Sequence, residues 1–164
     1  MKLHHIKFQK ILAVLLAILA LVGGLFGLCR AVASARAYDI APLTDERLAE
    51  LDLTGITHLM IVAHPDDETL WGGAHIADGG YLVVCITNGY NATRSAEFQA
   101  VMQASNNVGL ILSYPDKVAG KRDDWTHVRS QIQTDLEKVM TYQPWEDIVT
   151  HNAKGEYGHI HHKM

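Results

Sequence analysis

Apolar and polar positions divide the chain at about residue 36. From Ile11 to Cys29 the chain is apolar without a charge, and Arg30 closes the run. Beyond it, short apolar runs alternate with mixed stretches. His58 to Ala63 is one such run and stops just short of Pro65. Tyr81 to Thr87 is a second, rich in β-branched residues and ending at Asn88-Gly89. Gly109 to Leu112 and Asp147 to Thr150 are the third and fourth. Each fits a buried strand. The stretches between them have helical character. Glu68 to Asp78 closes at Gly79-Gly80, and Ser95 to Asn107 closes at Gly109. Asp124 to Tyr142 places Val128, Ile132, Leu136, Val139 and Met140 on one face. Strands alternating with helices predict an α/β domain, a Rossmann-like and mostly parallel sheet with flanking helices.

The N-terminal run predicts a transmembrane helix. At about 1.5 Å per residue it matches the thickness of a bilayer core. Lys2, Lys7 and Lys10 precede it, and Arg30 and Arg36 follow. That bias orients the rest of the chain away from the cytoplasm in a bacterial host. The alternative is a cleaved signal peptide, in which case the product is secreted. The small-residue stretch Ala31 to Ala35 speaks for cleavage, and the length of the apolar run speaks against it. The expected organisation is an anchor or signal segment over 1–36, a connector over 37–54 with a short helical pattern from Asp45 to Leu51, and one domain over 55–164. A chain of 164 residues leaves roughly 120 for that domain, enough for a small α/β core. A formal net charge of -4 gives no reason to expect nucleic acid as a partner. The two cysteines, Cys29 and Cys85, cannot form a disulfide framework and are expected to be buried small hydrophobes.

Candidate chemistry gathers where strands end. Ala63-His64-Pro65-Asp66-Asp67-Glu68 follows the first strand and opens a helix. In an open α/β sheet that edge is where ligands bind. His64 and Asp67 are three apart, so one turn aims both at a common point, and imidazole with carboxylate suits Zn²⁺. Asp66 points elsewhere and is free to act as a base. The plainer alternative is a helix cap, with Asp66 or Asp67 accepting from backbone N–H groups. His151-Asn152 and Gly155-Glu156-Tyr157-Gly158-His159-Ile160-His161-His162 follow the fourth strand, so they land on the same edge. His159 and His162 repeat the one-turn spacing. Together the motifs predict a metal site of two histidines and one carboxylate. No Gly-x-Gly-x-x-Gly follows the first strand, which disfavours a nucleotide-binding domain; Gly72-Gly73 is expected inside a helix. Asn91-Ala92-Thr93 is a formal glycosylation acceptor, but its place beside Arg94 favours a site loop.

The pair AHPDDE and GHxxH, with TNG between them and a downstream Arg-x-x-Glu, resembles the LmbE/PIG-L family of zinc-dependent N-acetylglucosaminyl deacetylases. The similarity runs from about His58 to the last residue. It implies a Rossmann-like fold and one divalent metal, usually zinc. It implies His64, Asp67 and His162 as metal ligands, Asp66 as general base, and His159 as the acid or oxyanion-stabilising residue. Arg94 and Asp116 match substrate-contacting positions. The implied activity is hydrolysis of the N-acetyl group of an amino sugar or glycoconjugate, releasing acetate. Two departures stand out. Relatives often read Gly-His-Pro-Asp-His, whereas Ile160 and His161 replace the proline and aspartate here, so His159 lacks the anion that would raise its pKa. Family members also continue past the second motif, whereas this chain stops two residues after His162. A truncated domain with an incomplete pocket is expected on that ground. The alternative function is a membrane-tethered carbohydrate-binding protein or an inactive relic.

Overall fold

A computed structural model describes residues 2–163, with side chains from Lys10 onward. The side chains of Lys2 and Lys7, part of the basic flank read from the sequence, lie outside the described residues. By their internal contacts the residues form two units, Met1–Ala37 and Tyr38–Met164. The first is helix α1 (Lys2–Arg36). Its stretch Lys10–Arg36 is long and apolar enough to cross a membrane, a test that a signal sequence also passes. Cys29 is exposed on it rather than buried, because a single helix has no interior. Cys85 is buried, as expected.

In the second unit four strands form one parallel sheet. They are β1 (His58–Val62), β2 (Tyr81–Thr87), β3 (Val108–Tyr114) and β6 (Asp147–Thr150), in the order β3-β2-β1-β6. A two-residue hairpin, β4 (Lys117–Val118) with β5 (Lys121–Arg122), lies between β3 and β6 in sequence. Every residue of β2 is buried, which is why it reads as a continuous apolar run. Alternate residues serve opposite faces. Leu59, Ile61, Leu82, Val84, Leu110 and Leu112 pack with Leu48 of α2 (Asp45–Ala49) and Ile132 and Val139 of α6 (Arg129–Tyr142). Met60, Val62, Val83 and Cys85 pack on the other side with Ile76 of α4 (Gly73–Ile76) and Phe98 and Met102 of α5 (Ala92–Ala104). Truncating one of these fully buried leucines to alanine costs about 2–5 kcal/mol. The residues 38–54 contribute Leu43 and Leu48 to the first core.

Several expected boundaries moved for identifiable reasons. The stretch read as one helix from Glu68 to Asp78 is two short ones, α3 (Asp67–Leu70) and α4. Two consecutive glycines weaken the helix there. A Cβ on Gly72 would sit 2.6 Å from the Met60 methyl carbon, so the break also lets the chain lie close on the sheet. The helix expected from Asp124 starts at Arg129, because Trp125 has φ of 60° and Thr126 N donates to Asp124 Oδ1 in a tight turn. Met140, expected on its apolar face, is exposed.

The topology fixes where the site must lie. Chain order runs outward from β1 to β2 to β3, then returns to the far side of β1 as β6. The direction of winding therefore reverses between β1 and β6. A crevice opens at the carboxyl ends of strands at such a switch point. The segments that leave those two ends begin at Ala63 and His151.

Candidate metal centre

Of the residues leaving β1, Ala63 is tied down first. Its carbonyl accepts from both the amide and the hydroxyl of Thr87, at 3.1 and 2.8 Å. The chain then turns at once into α3. Asp67 N donates to His64 O at 3.2 Å, and His64 N donates to Asp67 Oδ2 at 2.8 Å. This reciprocal pair brings the His64 ring to the same oxygen, with Nδ1 3.1 Å away. Asp67 is 2% exposed. Burial opposes its charge, but the contacts from His64, through backbone N–H and ring, outweigh it and hold the carboxyl well below the usual range.

From β6 the chain passes His151 and folds through two single-turn 3₁₀ segments, Glu156–Gly158 and Ile160–His162. Gly155 enters them with φ of 70°, and a Cβ there would lie 2.9 Å from His159 O. This path delivers His162, 1% exposed, to the first motif. Its Nε2 lies 3.3 Å from Asp67 Oδ2 and 3.4 Å from His64 Nδ1.

Three ligand atoms therefore form a triangle with edges of 3.1, 3.3 and 3.4 Å. Zinc with nitrogen and oxygen ligands at about 2.0–2.1 Å has tetrahedral edges of about 3.3 Å. The set fits that metal in chemistry and in spacing, and leaves a fourth position for water or substrate. Two further groups of possible metal ligands overlap it: His64 with His159 and His161, and His151 with Glu156 and His162.

Around the triangle lies a pocket of about 410 Å³, lined by Asp66, Asn88, Arg94, Asp116, Tyr157 and His159 among others. Asp66 makes no capping bond, and its backbone sits at φ 129°, ψ -24°. Glu68, buried beneath, accepts its N–H at 3.0 Å. The Asp66 carboxylate pairs with Arg94 Nη2 at 2.9 Å, and Arg94 also reaches Glu97 at 2.8 Å. Burial and the charge of Asp67 push the Asp66 carboxyl above its ordinary value, against the pull of Arg94. Asp66 is thus paired rather than free. Asp116 sits 2.7 Å from Arg122 Nη1 and 3.6 Å from His64 Nε2. Its carboxyl is held low, first by His64. Burial works against a charge on His64, yet Asp116 and Asp67 raise its pKa.

Among the described residues, no carboxylate pairs with His159. Its Nδ1 accepts from His161 N at 3.2 Å, and its ring packs edge-on against His64 at 4.8 Å. Burial and the neighbouring cations push its pKa down to about 4. His161, in place of the aspartate, meets the His159 ring edge-on at 5.3 Å and brings it no anion. It stacks on Trp125 at 4.0 Å, and its Nε2 donates to Asp123 O at 2.7 Å. That leaves Nδ1 to accept from His64 Nε2 at 3.0 Å. Burial pushes the His161 pKa to about 4 as well.

The structure thus gathers His64, Asp67 and His162 at one point. Asp66, Arg94, Asp116 and His159 line the pocket beside them. Sequence reasoning gave no role to Arg122, Trp125, Glu68 or Glu156, and none to His151 beyond marking its motif. Glu68 and Glu156 were visible inside the two motifs; Arg122 and Trp125 carried no signal by spacing. Asn91, the formal glycosylation acceptor, caps α5 through its side chain, which accepts from Thr93 N and Arg94 N.

The family model described as PIG-L, GlcNAc-PI de-N-acetylase, matches residues 59–164. An uncharacterized protein of Acanthamoeba polyphaga mimivirus is 31% identical over 122 residues, which cover 64% of this chain and 52% of that protein. The chain thus spans about half the length of that relative. No solved structure matches the chain.

Proposed function

The chain belongs to the GlcNAc-PI de-N-acetylase family, and from that premise we propose that it is a zinc-dependent hydrolase. Its substrate is an N-acetylglucosamine-type amino sugar or glycoconjugate, and its products are acetate and the free amine. One observation carries this reading: His64 Nδ1, Asp67 Oδ2 and His162 Nε2 meet at 3.1–3.4 Å beside an open polar pocket.

A bound Zn²⁺ supplies a Lewis acid that makes water nucleophilic near neutral pH and polarises the amide carbonyl. The chain's own residues do the rest. Asp66 accepts the proton of the attacking water and returns it to the leaving amine, a double task suited by its raised pKa. Arg94 holds that carboxylate at the pocket rim. His159 is neutral at pH 7, and because its Nδ1 accepts from His161 N, its proton sits on Nε2. It serves as a hydrogen-bond donor to the developing oxyanion, not as a strong acid. Asp116, Arg122 and Asn88 offer the acceptors and donors that sugar hydroxyls require. We read the segment Lys10–Arg36 as a membrane tether, and its basic flanks put the catalytic domain outside the cytoplasm in a bacterial host.

The test compares zinc content and acetate release for the unmodified chain and Asp66→Ala, with N-acetylglucosamine conjugates as substrates. Both proteins should hold zinc, and only the unmodified chain should release acetate. An unmodified chain without zinc, or release that survives the loss of Asp66, refutes the reading.

A further inference from the structure

His162 Nδ1 is buried and has no hydrogen-bond partner among the described residues. A buried polar atom left this way calls for an explanation. Glu156 Oε2 is 3.0 Å from it, near enough for a bond but off the line of the N–H. The same oxygen is 2.6 Å from Nδ1 of His151. The His151 and His162 rings stack, with centroids 3.9 Å apart and planes 10° apart. They present their Nδ1 atoms to one carboxylate oxygen side by side.

The proton on His151 can be assigned. Ala63 N donates to His151 Nε2 at 3.1 Å, so that nitrogen bears the lone pair and Nδ1 bears the proton. Nδ1 of His151 therefore donates to Glu156. On the other side of the carboxylate, Oε1 accepts from the backbone N–H of Asn152 at 3.1 Å and from its amide at 3.0 Å. Three of the four acceptor positions of Glu156 are thus filled, and the fourth faces His162 Nδ1. A small tilt of the ring aligns that contact.

We propose that Glu156 is the positioning residue of the metal centre: its Oε2 accepts Nδ1–H from His151 and His162 together, and so presents the Nε2 lone pair of His162 to His64 and Asp67. The proposal rests on the reading of those three residues as a metal centre. It gives the site a carboxylate–histidine support of the kind that fixes a ligand's tautomer and orientation. It also joins both ends of the sheet edge. His151 leaves β6, is held by Ala63 at the end of β1, and passes that alignment to His162 through the shared carboxylate.

Histidine-labelled full chain in detergent gives the test by nitrogen–proton correlation spectra, which report the tautomer of each ring without any activity assay. In the unmodified, zinc-free chain, His151 and His162 should both carry their proton on Nδ1. Glu156→Gln keeps the shape but turns an amide N–H₂ toward the rings. His162 should then shift its proton to Nε2, and zinc affinity should fall about 10–100-fold, the usual scale for loss of such a partner. The zinc-free melting temperature checks that the variant is folded. An Nε2–H tautomer of His162 in the unmodified chain overturns the proposal, as does unchanged zinc affinity in Glu156→Gln. A second zinc that is lost in Glu156→Gln also overturns it, since His151, Glu156 and His162 would then hold a metal in place of protons. If the unmodified chain binds no zinc, the metal-centre reading fails, while the tautomer still decides the role of Glu156. Should Glu156→Gln not fold, the tautomers of the unmodified chain decide alone.

Discussion

His64 and Asp67 meet through bonds that span three residues, whereas His162 reaches them across 98 positions of sequence. The first half of the centre is a single local turn: a backbone bond from Asp67 N to His64 O and a bond from His64 N to Asp67 Oδ2 set the ring beside the carboxylate. The second half exists only when β6 has docked beside β1, Gly155 has turned the chain, and Glu156 has gathered two rings. The difference assigns the costs. Damage to the first turn should harm both the fold and the metal. Damage to a ligand of the second half should remove the metal and leave the first turn standing.

The largest effect should come from a pair of variants that separates those consequences. Asp67→Asn and His162→Ala should each abolish zinc binding and turnover. Asp67→Asn should also lower the zinc-free stability, because the charge of a buried acceptor for His64 is removed. Hydrogen bonds to such charges contribute about 1.5–3 kcal/mol. Thermal melts of the two zinc-free variants make the comparison. Equal melting temperatures would mean that the first turn is not self-sufficient.

Asp66 tests the same turn from its exposed side. It holds φ 129°, a region that L-residues avoid, and such strain costs about 1–3 kcal/mol. Asp66→Gly should therefore raise the melting temperature while lowering turnover about 10²–10⁴-fold, the scale of general-base loss. Zinc should stay bound, since Asp66 is outside the triangle of ligand atoms. A variant that is no more stable would show that the backbone is relaxed in solution.

The contrast between the halves also explains what the sequence made legible. The strand of seven buried residues, Tyr81 to Thr87, announces itself by composition, and Pro65 marks where the first strand must stop. The i, i+3 pair of His64 and Asp67 is local, so its convergence was readable from spacing. The break at Gly72 depends on Met60, twelve residues away, and the late start of α6 depends on a left-handed Trp125. Neither leaves a period in the sequence. His161 was visibly an aspartate replaced, but its stacking on Trp125 and its bond to Asp123 O required the hairpin β4–β5 to bring those residues across. Glu156 was one acidic residue in a polar loop until two imidazoles appeared beside it.

In the second half His159 and His161 are held neutral most firmly, and pH reads them directly. His159 and His161 have pKa values near 4 against 6.5 in an unfolded chain, both through burial. Between those values the unfolded state binds more protons than the folded one, so stability rises with pH. It is fully present above about pH 6.5 and is lost as pH falls toward 4. Each such group contributes a slope of at most about 1.4 kcal/mol per pH unit. His64 runs the other way: its raised pKa favours the fold at low pH and offsets part of that loss. Denaturant titrations of the zinc-free chain from pH 7 to 4 should show the net decline. In His161→Gln the slope should be shallower by one proton, and an unchanged slope would mean that His161 protonates in the fold.

The smallest effect belongs to Arg94, whose pair with Asp66 is partly exposed. Exposed pairs contribute about 0–1 kcal/mol, so Arg94→Ala should leave stability and zinc content nearly unchanged. Its consequence lies in the pH profile. Arg94 lowers the Asp66 pKa while burial and Asp67 raise it. Removing the guanidinium leaves burial and Asp67 opposed only by His64, so the carboxyl must be deprotonated at a higher pH. The acidic limb of kcat/KM should move upward, with turnover on the alkaline side reduced only by poorer positioning. A limb that stays in place would separate Arg94 from the base, and leave it as a contact for substrate or an ordinary surface pair with Glu97.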